Sequence, residues 1–205
     1  MIDPIELDYV YLMHSLKERA RPRDRVTTLL RSGELVRVKK GLYVRPDSPY
    51  SRELLANLVY GPSYLSLEYA LSYHNLTPEA VNSLTSVTTQ KNKRFDTAVG
   101  RFEYRHLGLG YFPAGIERVE MDDGRAFLIA TPAKALFDFL YLRTPSVGAG
   151  EIEDHLFANL RIDRQSFEAL DFGPVCPLID RCPRASIRAL KRILPKHPPS
   201  ESPHG

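Results

Sequence analysis

At 205 residues, with 43% apolar and 26% charged side chains, the chain has the make-up of a globular protein long enough for one large or two small domains with a substantial core. No apolar run approaches the length of a membrane span, and the N-terminal MIDPIELDYV lacks the basic-then-apolar pattern of a secretion signal, so a cytoplasmic protein with no membrane partner is expected. The formal net charge is only +3, and the two cysteines, Cys176 and Cys182, have no second pair and no paired histidines to complete a metal site, so free thiols are expected.

Residues 5–16 place Tyr9, Leu12, Met13 and Leu16 at i, i+3, i+4 and i+7, the spacing of an amphipathic helix. A short polar turn over residues 17–21 follows. Pro22 suits the first turn of a second helix, because its missing N–H would have had no partner there and its φ is already helical. Val26, Leu29 and Leu30 make one apolar stripe, able to pack on the first helix, and Gly33 suits the end as a left-handed C′ residue. At 100° per residue, Asp24, Thr27, Thr28 and Arg31 fall on the opposite face. Short or forked polar side chains of that kind reach base edges from a helix in a major groove. Residues 35–38 alternate as a strand, Lys39, Lys40 and Gly41 turn it, and residues 42–44 return. Two crossing helices with a basic hairpin after the second are the outline of a winged helix-turn-helix. The full motif has three helices before the wing, and two are clear here.

Charge distribution separates this reading from that of an ordinary surface hairpin. From Lys17 to Arg45 there are ten basic residues (Lys17, Arg19, Arg21, Arg23, Arg25, Arg31, Arg37, Lys39, Lys40, Arg45) and three acidic ones (Glu18, Asp24, Glu34), a net of 10 − 3 = +7. The whole chain is +3, so the remainder sums to −4. A concentrated cationic field on a mildly acidic remainder is what phosphate binding by counterion release requires. The expected DNA contacts are Arg21, Arg23, Arg25, Thr27, Thr28, Arg31 and Arg37, with Lys39 and Lys40 carried to phosphates at the wing tip.

After Val44 the segment RPDSPY reads as a linker, and a domain boundary is expected near Asp47. Ser51 is a good N-cap for a helix carrying Leu54, Leu55 and Leu58, stopped by Gly61 and Pro62. A helix over residues 66–75 follows, with Leu67, Ala70, Leu71 and His74 on one face. Strands are predicted over 84–89 and 101–107, and a hairpin over 116–121 and 125–130 around Asp122, Asp123 and Gly124. Residues 90–97, QKNKRFDT, read as a polar, basic loop. Thr131 caps and Pro132 opens a helix striped by Leu136, Phe139 and Leu140, and TPSVGAG links it to a helix over 151–159. Asp163 caps another reaching Leu170, a basic helix covers 184–194, and the proline-rich end is expected to be disordered. The expectation is therefore an α+β protein: a winged helix-turn-helix over residues 1–47, a C-terminal domain of helices packed on a small antiparallel sheet over 48–195, and a tail over 196–205.

No catalytic constellation stands out, and no cofactor is expected. Asp96, Glu103 and Arg105 resemble a nuclease pattern only loosely, without its lysine, and Asp122 and Asp123 suit a turn better than a metal. His74 and His106 each sit on half-apolar faces, which favours a core or rim role over that of a general base. Lys134, one turn into a helix, could meet an anion at the helix N-terminus, with a solvated lysine as the default. Tyr60, Tyr64, Tyr69, Tyr73, Phe95 and Tyr104 beside basic residues allow a second reading, an RNA- or protein-binding module. Their spacing favours core positions.

Three segments together, RPRDRVTTLLRSGELVRVKKGLYV, PSYLSLEYALSYHNLTPE and the hairpin into IATPAKALFDFLYL, resemble the AbiEi antitoxins, bacterial transcriptional regulators encoded beside a nucleotidyltransferase-like toxin in type IV toxin–antitoxin systems. The resemblance covers residues 10–145 and contains no catalytic signature. It implies an N-terminal winged helix-turn-helix that binds inverted repeats in double-stranded DNA of its own promoter, and a larger C-terminal domain needed to counter the toxin without a stable complex. By position it places Thr27, Thr28 and Arg31 toward the groove and Lys39 and Lys40 in the wing. The N-terminal segment is shorter than the family's, lacking a clear first helix.

Overall fold

In the computed structural model, which describes residues 5–17 and 21–195, the chain begins with a short strand, β1 (Glu6–Asp8), and not with the helix expected from residue 5. The cause is Asp8, whose carboxylate accepts the Tyr11 N–H at 2.7 Å and so starts the first helix, α1 (Tyr9–Ser15), one turn later. The second helix, α2 (Pro22–Ser32), has Pro22 in its first turn as expected and ends on Gly33 at φ 78°, a left-handed conformation that glycine adopts without steric cost. Strands β2 (Val36–Lys39) and β3 (Leu42–Val44) form the expected hairpin. β1 adds to it, giving an antiparallel sheet in the order β1-β3-β2 with Leu7 opposite Tyr43 and Val36 opposite Val44. Leu7, Leu12, Val26, Leu35 and Tyr43 form the core beneath, with Leu16, Leu29 and Leu30 packed against it. At about 1.5–3 kcal/mol per fully buried aliphatic side chain, this cluster is what holds α2 in place.

Ser51 caps α3 (Arg52–Val59) through the Leu54 N–H at 3.1 Å. The strands that follow are β4 (Ser63–Leu65), β5 (Leu84–Thr88), β6 (Lys93–Thr97), β7 (Gly100–His106), β8 (Ile116–Glu120) and β9 (Ala126–Ala130). They form a six-stranded sheet in the order β6-β7-β5-β4-β9-β8. β5 runs parallel to β7 and β4 parallel to β9, so the small antiparallel sheet expected from the sequence is corrected to a larger mixed one. The loop expected over 90–97 is also corrected. It contains β6, the terminal strand of its sheet, whose charged residues Lys93, Arg94 and Asp96 remain exposed. Tyr104 on β7 is buried, and its hydroxyl donates to the Ala56 carbonyl on α3 at 2.6 Å. Burial pushes that phenol well above its ordinary pKa.

The described residues divide into two compact units that alternate along the sequence: one takes 5–17, 21–65, 81–112 and 117–129, the other 66–80, 113–116 and 130–195. The N-terminal segment to Asp47 lies within the first unit. The second contains α4 (Leu67–Tyr73), α5 (Pro132–Leu142), a π-helical turn (Asp154–Asn159), α6 (Arg164–Glu168), a 3-10 turn (Gly173–Val175), α7 (Cys176–Arg181) and α8 (Ala185–Ile193). Thr131 and Asp163 cap α5 and α6 as expected, while α7 was not foreseen. α5 packs on α4 and α8, and α7 packs on α8. Both cysteines are free thiols. The tail expected over 196–205 lies outside the described residues.

The largest departure from expectation is Lys134. It is not solvated but fully buried, as is Asp138 one turn along α5, and its Nζ meets Asp138 Oδ1 at 2.5 Å. The Ser66 hydroxyl donates to the other carboxylate oxygen at 2.8 Å. Burial lowers the lysine's pKa against the opposing pull of Asp138. Gly115 lies over the lysine stem at φ 70°, where a Cβ would come within 2.7 Å of Lys134 Cβ.

Candidate nucleic-acid interface

The geometry of α2 follows from its apolar stripe. Val26 is buried with Leu29 and Leu30 half-buried behind it, which turns Arg21, Arg23, Asp24, Arg25, Thr27, Thr28 and Arg31 to solvent. None of these arginines forms an ion pair with a described acidic residue. The Thr27 and Thr28 hydroxyls donate back to the carbonyls of Arg23 (3.2 Å) and Asp24 (3.0 Å). Each hydroxyl proton is thereby committed to the helix backbone, and each oxygen keeps its capacity to accept. Asp24, the one acidic residue among them, sits in the first turn, where it complements the positive end of the helix.

On the hairpin, Arg37 and Lys40 are exposed and, among the described residues, carry no ion pair. Lys39 is placed differently. Its ammonium donates to the carbonyls of Leu58 (3.2 Å) and Val59 (2.5 Å), the end of α3, and so neutralises the negative terminus of that helix. Burial lowers its pKa, and the nearby charge of Lys93 lowers it further. One lysine of the turn thus fastens the hairpin to α3 while the other faces solvent. No sequence spacing announces this bond, because its partners are backbone carbonyls 19 and 20 residues away.

The residues weighed for catalysis have structural partners. Asp96 accepts from Arg94 at 2.9 Å and Arg101 at 2.8 Å, both of which hold its carboxyl below the usual range. Asp123 accepts the Arg125 guanidinium and backbone N–H, closing the β8–β9 turn. The His74 ring donates to the Ala130 carbonyl at 2.8 Å. Among the described residues no three His, Cys, Asp or Glu side chains converge as metal ligands. No helix among them is long and apolar enough to cross a membrane. Compared with known proteins, the chain matches no family model and no curated protein sequence.

Proposed function

We propose that this protein is a sequence-specific double-stranded DNA-binding repressor of winged helix-turn-helix type, with α2 as its recognition helix. The observation that supports it most is the row of exposed arginines on α2, without ion-pair partners among the described residues, beside Thr27 and Thr28, with Arg37 and Lys40 on the adjoining hairpin. Exposed arginines without a carboxylate partner among the described residues keep their donors available for phosphates and guanine edges. In this reading Thr27, Thr28 and Arg31 face the bases, Arg21, Arg23, Arg25, Arg37 and Lys40 meet phosphates, and Lys39 holds the hairpin at its angle. The resemblance to the AbiEi antitoxins extends the proposal: the DNA is the protein's own promoter, and the regulated partner is a nucleotidyltransferase-like toxin countered without a stable complex.

Gel-shift titration separates these roles. Arg37→Ala with Lys40→Ala should weaken binding on every duplex and make the salt dependence shallower. Arg31→Ala should cost about 1–3 kcal/mol on the preferred site and little elsewhere. Unchanged binding in both variants would remove α2 and the hairpin from the interface. For the antitoxin role, co-expression with a nucleotidyltransferase encoded by the adjacent gene should restore growth, and failure to do so would leave a regulator without a toxin.

A further inference from the structure

The strand β6 lies beside the hairpin, not remote from it. β2 packs against β6, and Lys39 on β2 feels the charge of Lys93 on β6. Within the first unit the positive surface therefore does not stop at Lys40. Antiparallel pairing sets Lys93 opposite Tyr104 and Arg94 opposite Glu103, and between β6 and β7 lies a shallow groove of about 290 Å³ lined by Asn92, Lys93, Arg94, Glu103, Tyr104 and Arg105. It carries three cationic side chains and one carboxylate. The Lys93 ammonium stands over the rings of Tyr60 (5.3 Å) and Phe95 (5.0 Å), which hold it at the rim without neutralising it. Arg94 is engaged by Asp96, and Arg105 lies 4.0 Å from Glu103. Lys93, and Lys91 just before the strand, remain exposed and without a described acidic partner.

We propose that the β6–β7 edge is a second phosphate-binding surface, continuous with the hairpin, on which Lys91 and Lys93 hold the backbone of the same DNA duplex beyond the base pairs that α2 reads. This rests on the DNA-binding reading above and adds to it a longer footprint and two further anchoring residues. Lys91 and Lys93 are point charges that suit phosphates, while the groups of the groove able to read a base edge are engaged, Asn92 by the His106 N–H and Arg94 by Asp96. The contribution of this surface is therefore to affinity and salt dependence, with no sequence preference of its own.

The test is fluorescence anisotropy of the full-length chain on a labelled duplex containing the preferred site and on a scrambled duplex of equal length, each titrated with salt. Each phosphate neutralised contributes about −0.9 to the slope of log affinity against log salt. Lys91→Gln with Lys93→Gln should therefore make the slope shallower by about 1 to 2 and lower affinity equally on both duplexes. Both positions are exposed, so circular dichroism should be unchanged, and Lys91→Glu with Lys93→Glu should weaken binding further. An unchanged slope in these variants, while Arg31→Ala still lowers binding to the preferred site, would overturn this surface and leave the α2 reading intact. No duplex binding by the wild-type chain would overturn both. Stronger competition by single-stranded RNA than by duplex at equal phosphate count would overturn the assignment of a duplex partner.

Discussion

Basic side chains on two helices opened by proline have opposite fates. The arginines of α2 stand in solvent without described partners, whereas Lys134 in α5 is sealed from water with Asp138 and Ser66 around it. The difference lies in the apolar residues between them. α2 carries a single stripe, Val26, Leu29 and Leu30, and buries one face. α5 is buried from Ala133 to Leu140, so a lysine within that span must meet its charge partner inside the protein, and Asp138 of the same helix supplies one. Charge is thus structural in one region and available for binding in the other, and substitutions should separate the two.

The largest effect is expected at Asp138. Asp138→Ala removes the carboxylate that meets a buried ammonium and should cost about 3–5 kcal/mol in denaturant unfolding. Lys134→Met with Asp138→Leu, which removes both charges, should recover most of that loss. If the double variant were no more stable than the single one, the pair would be contributing more than mutual neutralisation. Next comes Gly115→Ala. At φ 70°, with a Cβ placed 2.7 Å from Lys134 Cβ, it should cost about 1–3 kcal/mol, and a neutral result would show that the segment over α5 relaxes freely.

On α2 the contrast predicts much smaller effects on stability. Arg23→Ala and Arg31→Ala should each change unfolding free energy by about 0.5 kcal/mol or less, because both side chains are exposed and neither has an ion-pair partner among the described residues. A larger loss would mean that these arginines are structural after all. The smallest effect concerns pH. Burial lowers the pKa of His155, and its buried ring Nε2 has no hydrogen-bond partner among the described residues. Between its folded pKa and the ordinary histidine value the unfolded chain binds more protons, so stability is full above that ordinary value and declines as pH falls through it. His155→Gln should flatten this acid-side slope relative to wild type in thermal melts at matched ionic strength, and parallel slopes would assign the pH dependence to other groups.

What the sequence discloses and what it hides follow from the range of the interactions involved. The bounds of α2, the left-handed Gly33, the caps Ser51, Thr131 and Asp163 and the turn at Asp123–Gly124 all depend on residues within one helical turn, and each is where spacing predicts it. The parallel pairings β5–β7 and β4–β9 join segments far apart in the chain, and no local pattern encodes them. β6 was concealed because an edge strand retains polar side chains and lacks the alternation of a half-buried one. Lys39 gave no local signal, since its partners are carbonyls at the end of α3. Lys134 did leave one. A lysine and an aspartate at i and i+4 within PAKALFDFLYL, a helix apolar on every side, are better explained as a buried pair than as a solvated face.

The central claim is that the exposed cations beside Thr27 and Thr28 read and hold duplex DNA. The most direct measurement is the affinity of the wild-type chain for DNA from upstream of its own gene against a scrambled duplex of the same length, across a salt series. The account predicts a preference of at least about 10³-fold for the upstream DNA, with affinity on both duplexes falling steeply as salt rises. Equal affinity for the two duplexes, or binding that does not respond to salt, would contradict it.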